Sequence, residues 1–480
     1  MKKNYFIALL FWAGMFSCSG LKKAPTGAVL SGKIAESTDS VFLVYFSGKK
    51  YKTPIREDGS FHLKIDSLAS ENMGFFSVGN NRASIYVERG DSLYITLDAS
   101  ADKFDETLCF SGIGAENNNF LAEEKILGRK HSLQFYDLLN RNEKALTASL
   151  DSLQNPYLAH LESAKNLSPA FYSIKARSFA YHWALAKLEF ENVIPVEELS
   201  TDFLAYKKEF PLEDEQLFKL EVRSYRRYLE QTLQNTLFDS LDNRFGGRQQ
   251  VMEAFQRTPN TVVSLQLRFL NQMLKVQTIK NELLYEIIGG SVEACYDGEN
   301  IQALLDEYRS YSTDEKKEEE MVRMVELLSK LKKGSIAPEI SGASIDGKPV
   351  SLIDFKGKYV YVDVWETGCG PCRREIPHLK KLEKDYHGKN IVFLSVSIDQ
   401  NREAWERMVK DEQLSGVQIH AKGGWRAPFM DTYQIKGVPA FILVDPEGKL
   451  IDRSAPRPST KEIRKVFDEL KGGNEAIAMK

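Results

Sequence analysis

Residues 362–377 read VDVWETGCGPCRREIP. Two of the five cysteines in 480 residues stand here, three positions apart. Five cysteines are too few for a disulfide-stapled framework, so chemistry is the better use of this pair. An apolar run precedes Cys369 and helical spacing follows it, which puts the first cysteine where a buried strand ends and a helix opens. Unpaired N–H groups and the helix dipole stabilise a thiolate at such a position. Pro371 suits the first helical turn. The spacing also lets the two sulfurs close a small ring, so that Cys369 can attack a disulfide and Cys372 can resolve the mixed disulfide that results.

On either side of this stretch strand and helix alternate. KYVYVDVW, a helix over about 370–386, NIVFLSVSID, a helix over about 401–412, a short strand near VQIHA, FILVDPEGKLID as a hairpin and a final helix near 461–470 follow in order. Ahead of them Asp346-Gly347 separates two short extended runs, a hairpin signal. Such alternation predicts a βαβ sheet covered by helices on both faces, here spanning 335–475. Residues 116–333 are spaced as helices instead, with FLAEEKILGRKHSLQFYDLL, SFAYHWALAKLEF and IQALLDEYRSY as amphipathic segments. Proline and glycine are sparse there, and an all-α middle domain is expected. DEKKEEE (314–320) reads as a solvated helix start or linker, with a docking site as the other reading. Residues 28–115 alternate over short runs broken at EDGS (57–60) and ERGD (88–91), the pattern of an antiparallel β-sandwich or barrel.

Composition bounds the classes. With 42% hydrophobic and 27% charged residues and a net charge of −3, neither wholesale disorder nor a basic nucleic-acid surface is indicated. Length suggests about three domains. The first residues, MKKNYFIALLFWAGMFSCSG, carry a basic start and an apolar stretch from Tyr5 to Phe16. That is short of the ~20 residues needed to span a bilayer but fits a signal peptide over 1–17. The ending resembles a bacterial lipobox, which implies lipid on Cys18 and a tether over 18–27; a plain secretory signal cut nearby is the alternative.

Residues 335–475 resemble a thioredoxin-fold domain of the periplasmic TlpA/ResA type, on APEI, DGKPVSL, FKGK, VDVW, CGPCRREIP and KGVPAFILVDPEGKL. The resemblance implies a cis proline at Val438-Pro439 facing the Cys369–Cys372 disulfide, with backbone beside it pairing with the substrate chain, and Trp365 is expected, with Val438 and Pro439, to bind substrate. It also implies that Asp363 is a buried acid relaying a proton for Cys372, an exposed strand-end carboxylate being the other reading. Glu375 resembles the cavity glutamate of ResA-type proteins, although helical spacing alone favours a solvent-facing side chain, as it does for Arg373 and Arg374. Glu366-Thr367-Gly368 departs from the family's Ala-Thr-Trp or Ala-Glu-Trp and removes a flat contact surface beside the nucleophile. The β-rich region resembles the domain that precedes thioredoxin modules in Bacteroidetes lipoproteins, and reads as a binding or docking scaffold.

Other chemistries fit less well. A peroxiredoxin would need Pro and Thr where Val362 and Glu366 stand, and His378 alone does not complete a zinc site with the pair, so no metal is expected. Cys109 and Cys295 read as buried free thiols, with a disulfide between them as the alternative. No flavin or nicotinamide motif accompanies the dithiol, so no cofactor is expected and electrons must come from a membrane thiol donor. The expected activity is an envelope thiol–disulfide oxidoreductase, lipid-anchored in the periplasmic space, that reduces disulfides of exported proteins. Apocytochrome c and oxidative-stress targets are the candidate partners; nucleic acid is not one. The competing class is an envelope ligand-binding lipoprotein with an accessory thioredoxin module.

Overall fold

The computed structural model describes residues 25–37, 40–46, 48–130, 142–294 and 301–478. The expected signal peptide, Cys18 and Cys295 lie outside the described residues. The chain divides into two compact units, Met1–Thr236 and Leu237–Lys480.

Among the described residues of the first unit, eight strands run as β1 (Ala28–Ala35), β2 (Val41–Phe46), β3 (Lys49–Pro54), β4 (Ser60–Ile65), β5 (Glu71–Val78), β6 (Asn81–Glu88), β7 (Ser92–Asp98) and β8 (Cys109–Ile113). They form two four-stranded sheets, β4-β1-β7-β8 and β3-β2-β5-β6. Period-2 alternation drives this: SFHLKI buries Phe61, Leu63 and Ile65 while VFLVYF buries Phe42, Val44 and Phe46, and both sets enter one core. Phe42 stacks on Phe61 at 4.1 Å between ring centroids. Gly59 and Gly90, at φ +79° and +95°, make the turns that EDGS and ERGD signalled.

Two expectations are corrected here. The first sheet is not wholly antiparallel, because β1 pairs with β7 in parallel, Val29 opposite Ser92. A parallel pair needs a long crossover, and the chain supplies one by building β2 and β3 and then β5 and β6 in the other sheet between β1 and β7. Cys109 is not buried but exposed, since β8 turns Phe110 into the core and its neighbour outward.

Both sheets end in strands held by one helix, Ala115–Lys130. Asn118 accepts from the Tyr86 N–H (2.9 Å) and donates to its carbonyl (2.8 Å) at the β6 edge. Asn119 does the same for Phe110 on β8, at 2.9 Å each way. Two successive side-chain amides thus satisfy edge backbone that would otherwise invite pairing with another chain. The remaining described elements of this unit are helical, with Ser168, Ser200 and Asp214 accepting N-cap hydrogen bonds.

The second unit begins with helices Arg248–Arg257, Pro259–Met273, Gln277–Ala294, Ile301–Tyr311 and Glu315–Ser329. The charge run 314–320 is a helix start, with the Asp314 carboxylate accepting from the Lys317 N–H at 3.2 Å. Among the described residues no helix is long and apolar enough to cross a membrane. Next come β9 (Ser341–Ser344), β10 (Pro349–Ser351), β11 (Tyr359–Trp365), β12 (Ile391–Ser397), β13 (Val417–His420), β14 (Ala440–Val444) and β15 (Leu450–Asp452). Their order is β10-β9-β13-β12-β11-β14-β15. β11 is parallel to β12 and antiparallel to β14, so this sheet is mixed. Buried along nearly its whole length, β11 reads as a continuous apolar run, and it is the strand that delivers the chain to Cys369. Tyr361 anchors it by packing on Phe441 and Phe467 and donating its hydroxyl to the Pro456 carbonyl at 2.7 Å.

Candidate active site

Where β11 ends, the backbone turns through Glu366-Thr367-Gly368 and enters the helix Gly370–Asp385 with Cys369 as its N-cap. Asp399 holds that turn in place. Its buried carboxylate accepts from the Thr367 N–H (3.0 Å to each oxygen), the Thr367 hydroxyl (2.6 Å) and the Ser397 hydroxyl (2.8 Å). Four charge-assisted contacts onto one carboxylate fix the loop that carries the nucleophile.

Cys369 and Cys372 are joined in a disulfide. The Cys372 N–H donates to Cys369 Sγ at 3.0 Å, so a helix-terminal N–H already points at the sulfur that would carry negative charge after reduction. Cys369 keeps 8% of its surface exposed and Cys372 3%, which leaves Cys369 as the approachable partner. The Val438–Pro439 peptide bond is cis, and the Val438 carbonyl oxygen stands 3.5 Å from Cys369 Sγ. A Cβ on Gly368 or Gly437 would meet nothing within 4 Å, so both residues border open space near that sulfur.

Trp365, Cys369 and Cys372 pack with Trp405 and Val438. Beneath Cys372 a cavity of about 10 Å³ is lined by Asp363, Trp365, Lys380, Glu383 and Ser395 among others. Asp363 is buried and lies opposite Ser395 in the β11–β12 ladder. Burial pushes its carboxyl up to about 7, the negative charges of Glu375 and Glu383 push the same way, and a hydrogen bond from Ser395 acts against them. Glu375 is buried too, but it does not line that cavity. Its carboxylate accepts from the Ser459 N–H (3.0 Å) and hydroxyl (2.9 Å), with Arg457 at 3.9 Å.

Glu383 and Asp399 escaped the sequence reading. Glu383 stands eleven residues past Cys372, three turns along, on the stripe Cys372–Ile376–Leu379–Glu383 that also lines the cavity. Helical periodicity taken from Cys372 would have found it. No comparable spacing marks Asp399, which reaches Thr367 across the sheet.

Residues 332–470 match the Redoxin family model. Thiol-disulfide oxidoreductase ResA of Bacillus thuringiensis subsp. konkukian is 28% identical over 141 residues, covering 29% of this chain and 80% of that protein. ResA of Bacillus subtilis is 27% identical over 121 residues, covering 25% and 66%. A solved thioredoxin domain of a thiol-disulfide oxidoreductase from Bacteroides vulgatus is 35% identical, covers 29% of this chain and 98% of its own, and superposes with a TM-score of 0.27. The C-terminal domain is therefore a Redoxin domain of thioredoxin-like fold, similar to ResA proteins. The chain that carries it is a thiol–disulfide oxidoreductase.

Proposed function

We propose that this chain reduces disulfides of exported proteins in the cell envelope, with Cys369 as the nucleophile and Cys372 as the resolving thiol. One observation carries the reading: Cys369 Sγ sits at a helix N-terminus, 3.5 Å from the carbonyl that precedes Pro439, with its partner sulfur behind it. A substrate strand lying beside Val438 can pair with backbone there while its disulfide meets Cys369. Asp363, behind Cys372, accepts the proton of the resolving thiol, and Glu375 biases Asp363 through its charge. Electrons reach the site from a membrane thiol donor. The chain needs no other cofactor. Cys18 carries the lipid that holds it at the membrane, and the β-rich and helical parts serve as the docking scaffold.

Trapping tests this. Cys372→Ala attacks once and cannot resolve, so cells producing the full-length variant should accumulate mixed disulfides through Cys369. Captured proteins are expected to be exported proteins with cysteine pairs. Capture of cytoplasmic proteins alone, or of none, would overturn the assignment.

A further inference from the structure

The cavity under Cys372 has room for about one water molecule. Among the described residues, two that line this cavity each carry a buried polar atom without a hydrogen-bond partner, the indole N–H of Trp365 and Oε1 of Gln418. One is a donor and the other an acceptor, which is what a bridging water requires. Asp363 and Glu383 line the same space. Their surroundings differ. Asp363 is nine-tenths buried, whereas Glu383 is half-buried and accepts a hydrogen bond from the exposed-side hydroxyl of Ser415.

We propose that Glu383 is the outer half of a two-carboxylate proton route, carrying to solvent, through a water in this cavity, the proton that Cys372 gives to Asp363. The inference rests on Cys372 being the resolving thiol. In that step the Cys372 S–H proton moves to the Asp363 carboxylate, and the thiolate attacks Cys369 Sγ of the mixed disulfide. The Cys369–Cys372 bond forms as the bond to the substrate sulfur breaks, and the substrate thiolate leaves with the electron pair and takes a proton from solvent. Asp363 then passes its proton by way of the water to Glu383, which releases it on the Ser415 side. Two electrons go from the dithiol to the substrate disulfide, and no other oxidant or reductant enters.

The groups facing this pair come from several elements. Lys380, on the same helix, lines the cavity and donates to the Glu412 carbonyl, with the Glu412 carboxylate at 3.9 Å. Glu375 adds a negative charge felt at Asp363, Ser395 comes from β12, and Ser415 and Gln418 flank or lie on β13. Burial raises the Glu383 carboxyl, while Ser415 and Lys380 oppose that rise. Glu383 touches neither sulfur and acts only through Asp363, so it is a positioning residue and not a catalytic one.

The reduced full-length chain mixed with an excess of an aromatic disulfide that releases a coloured thiol gives two phases, attack by Cys369 and then resolution by Cys372. For Glu383→Gln the second phase should slow by at least about tenfold and its pH midpoint should move to lower pH, because a negative neighbour of Asp363 is gone. The first phase should stay within about twofold, and Glu383→Asp should recover part of the second. Ser415→Ala, which removes a single hydroxyl, is expected to slow the second phase alone and serves if Glu383→Gln folds poorly. An unchanged second phase and midpoint in Glu383→Gln would overturn the proposal. A wild type with no second phase would instead overturn the role of Cys372, so the two failures are distinct.

Discussion

Cys369→Ser is expected to bring insulin-disulfide reduction down to the uncatalysed rate, a loss on the order of 10³-fold or more. A serine hydroxyl at the N-cap still accepts the helix N–H that now points at sulfur, so the fold should survive and the loss report on chemistry. The thiolate at this site has the helix N-terminus to stabilise it, and of the two sulfurs in the disulfide Cys369 is the more exposed. Cys372→Ala should lose turnover to a similar extent yet retain one round of attack. Turnover by Cys369→Ser at the wild-type rate would remove the nucleophile from the account.

Asp363→Asn is expected to stabilise the protein above about pH 7 and to leave it unchanged below about pH 4. The sign follows from linkage. Burial raises this carboxyl from 3.8 to about 7 in the folded chain. Between those values the folded state holds a proton that the unfolded state has released, so stability falls as pH climbs and the penalty is complete above the folded value. The displacement corresponds to roughly 4 kcal/mol at most. Asparagine keeps the shape and drops the charge, so its stability should lack that fall. Urea midpoints of the oxidised wild type and variant, compared from about pH 4 to about pH 9, test this. Curves that stay parallel across the window would show that Asp363 is not buried as an acid. The same substitution should also slow resolution by Cys372, since the nearest proton acceptor is gone.

Local signals explain what was legible in the sequence. The dithiol, the strand before it and the helix after it are all encoded within the 27 residues from Tyr359 to Asp385, and the turn at Asp346-Gly347 needs only Gly347 at φ +76°. The hairpin pattern of FILVDPEGKLID likewise becomes β14 and β15, paired antiparallel. Pairings between distant strands are another matter. Alternation says which side chains of β1 face inward but not that β7 lies beside it in parallel, because period 2 carries no partner identity. Cys109 shows the same limit, since a shift of one residue along β8 decides whether it or Phe110 enters the core. Asn118 and Asn119 look like ordinary polar surface until the two sheet edges they satisfy are in place. Glu383 was hidden by company: in KKLEKD it looks like one more charge on a solvated helix face, and only the stripe running from Cys372 sets it apart.

A brief, limiting pulse of iodoacetamide on the reduced protein, followed by peptide mass mapping, shows which sulfur is the nucleophile. Label should appear on Cys369 ahead of every other cysteine, because a helix N-terminus stabilises its thiolate, with Cys372 spared and the exposed Cys109 slower. Label appearing first on Cys372, or on Cys109 while Cys369 stays unmodified, would contradict this expectation.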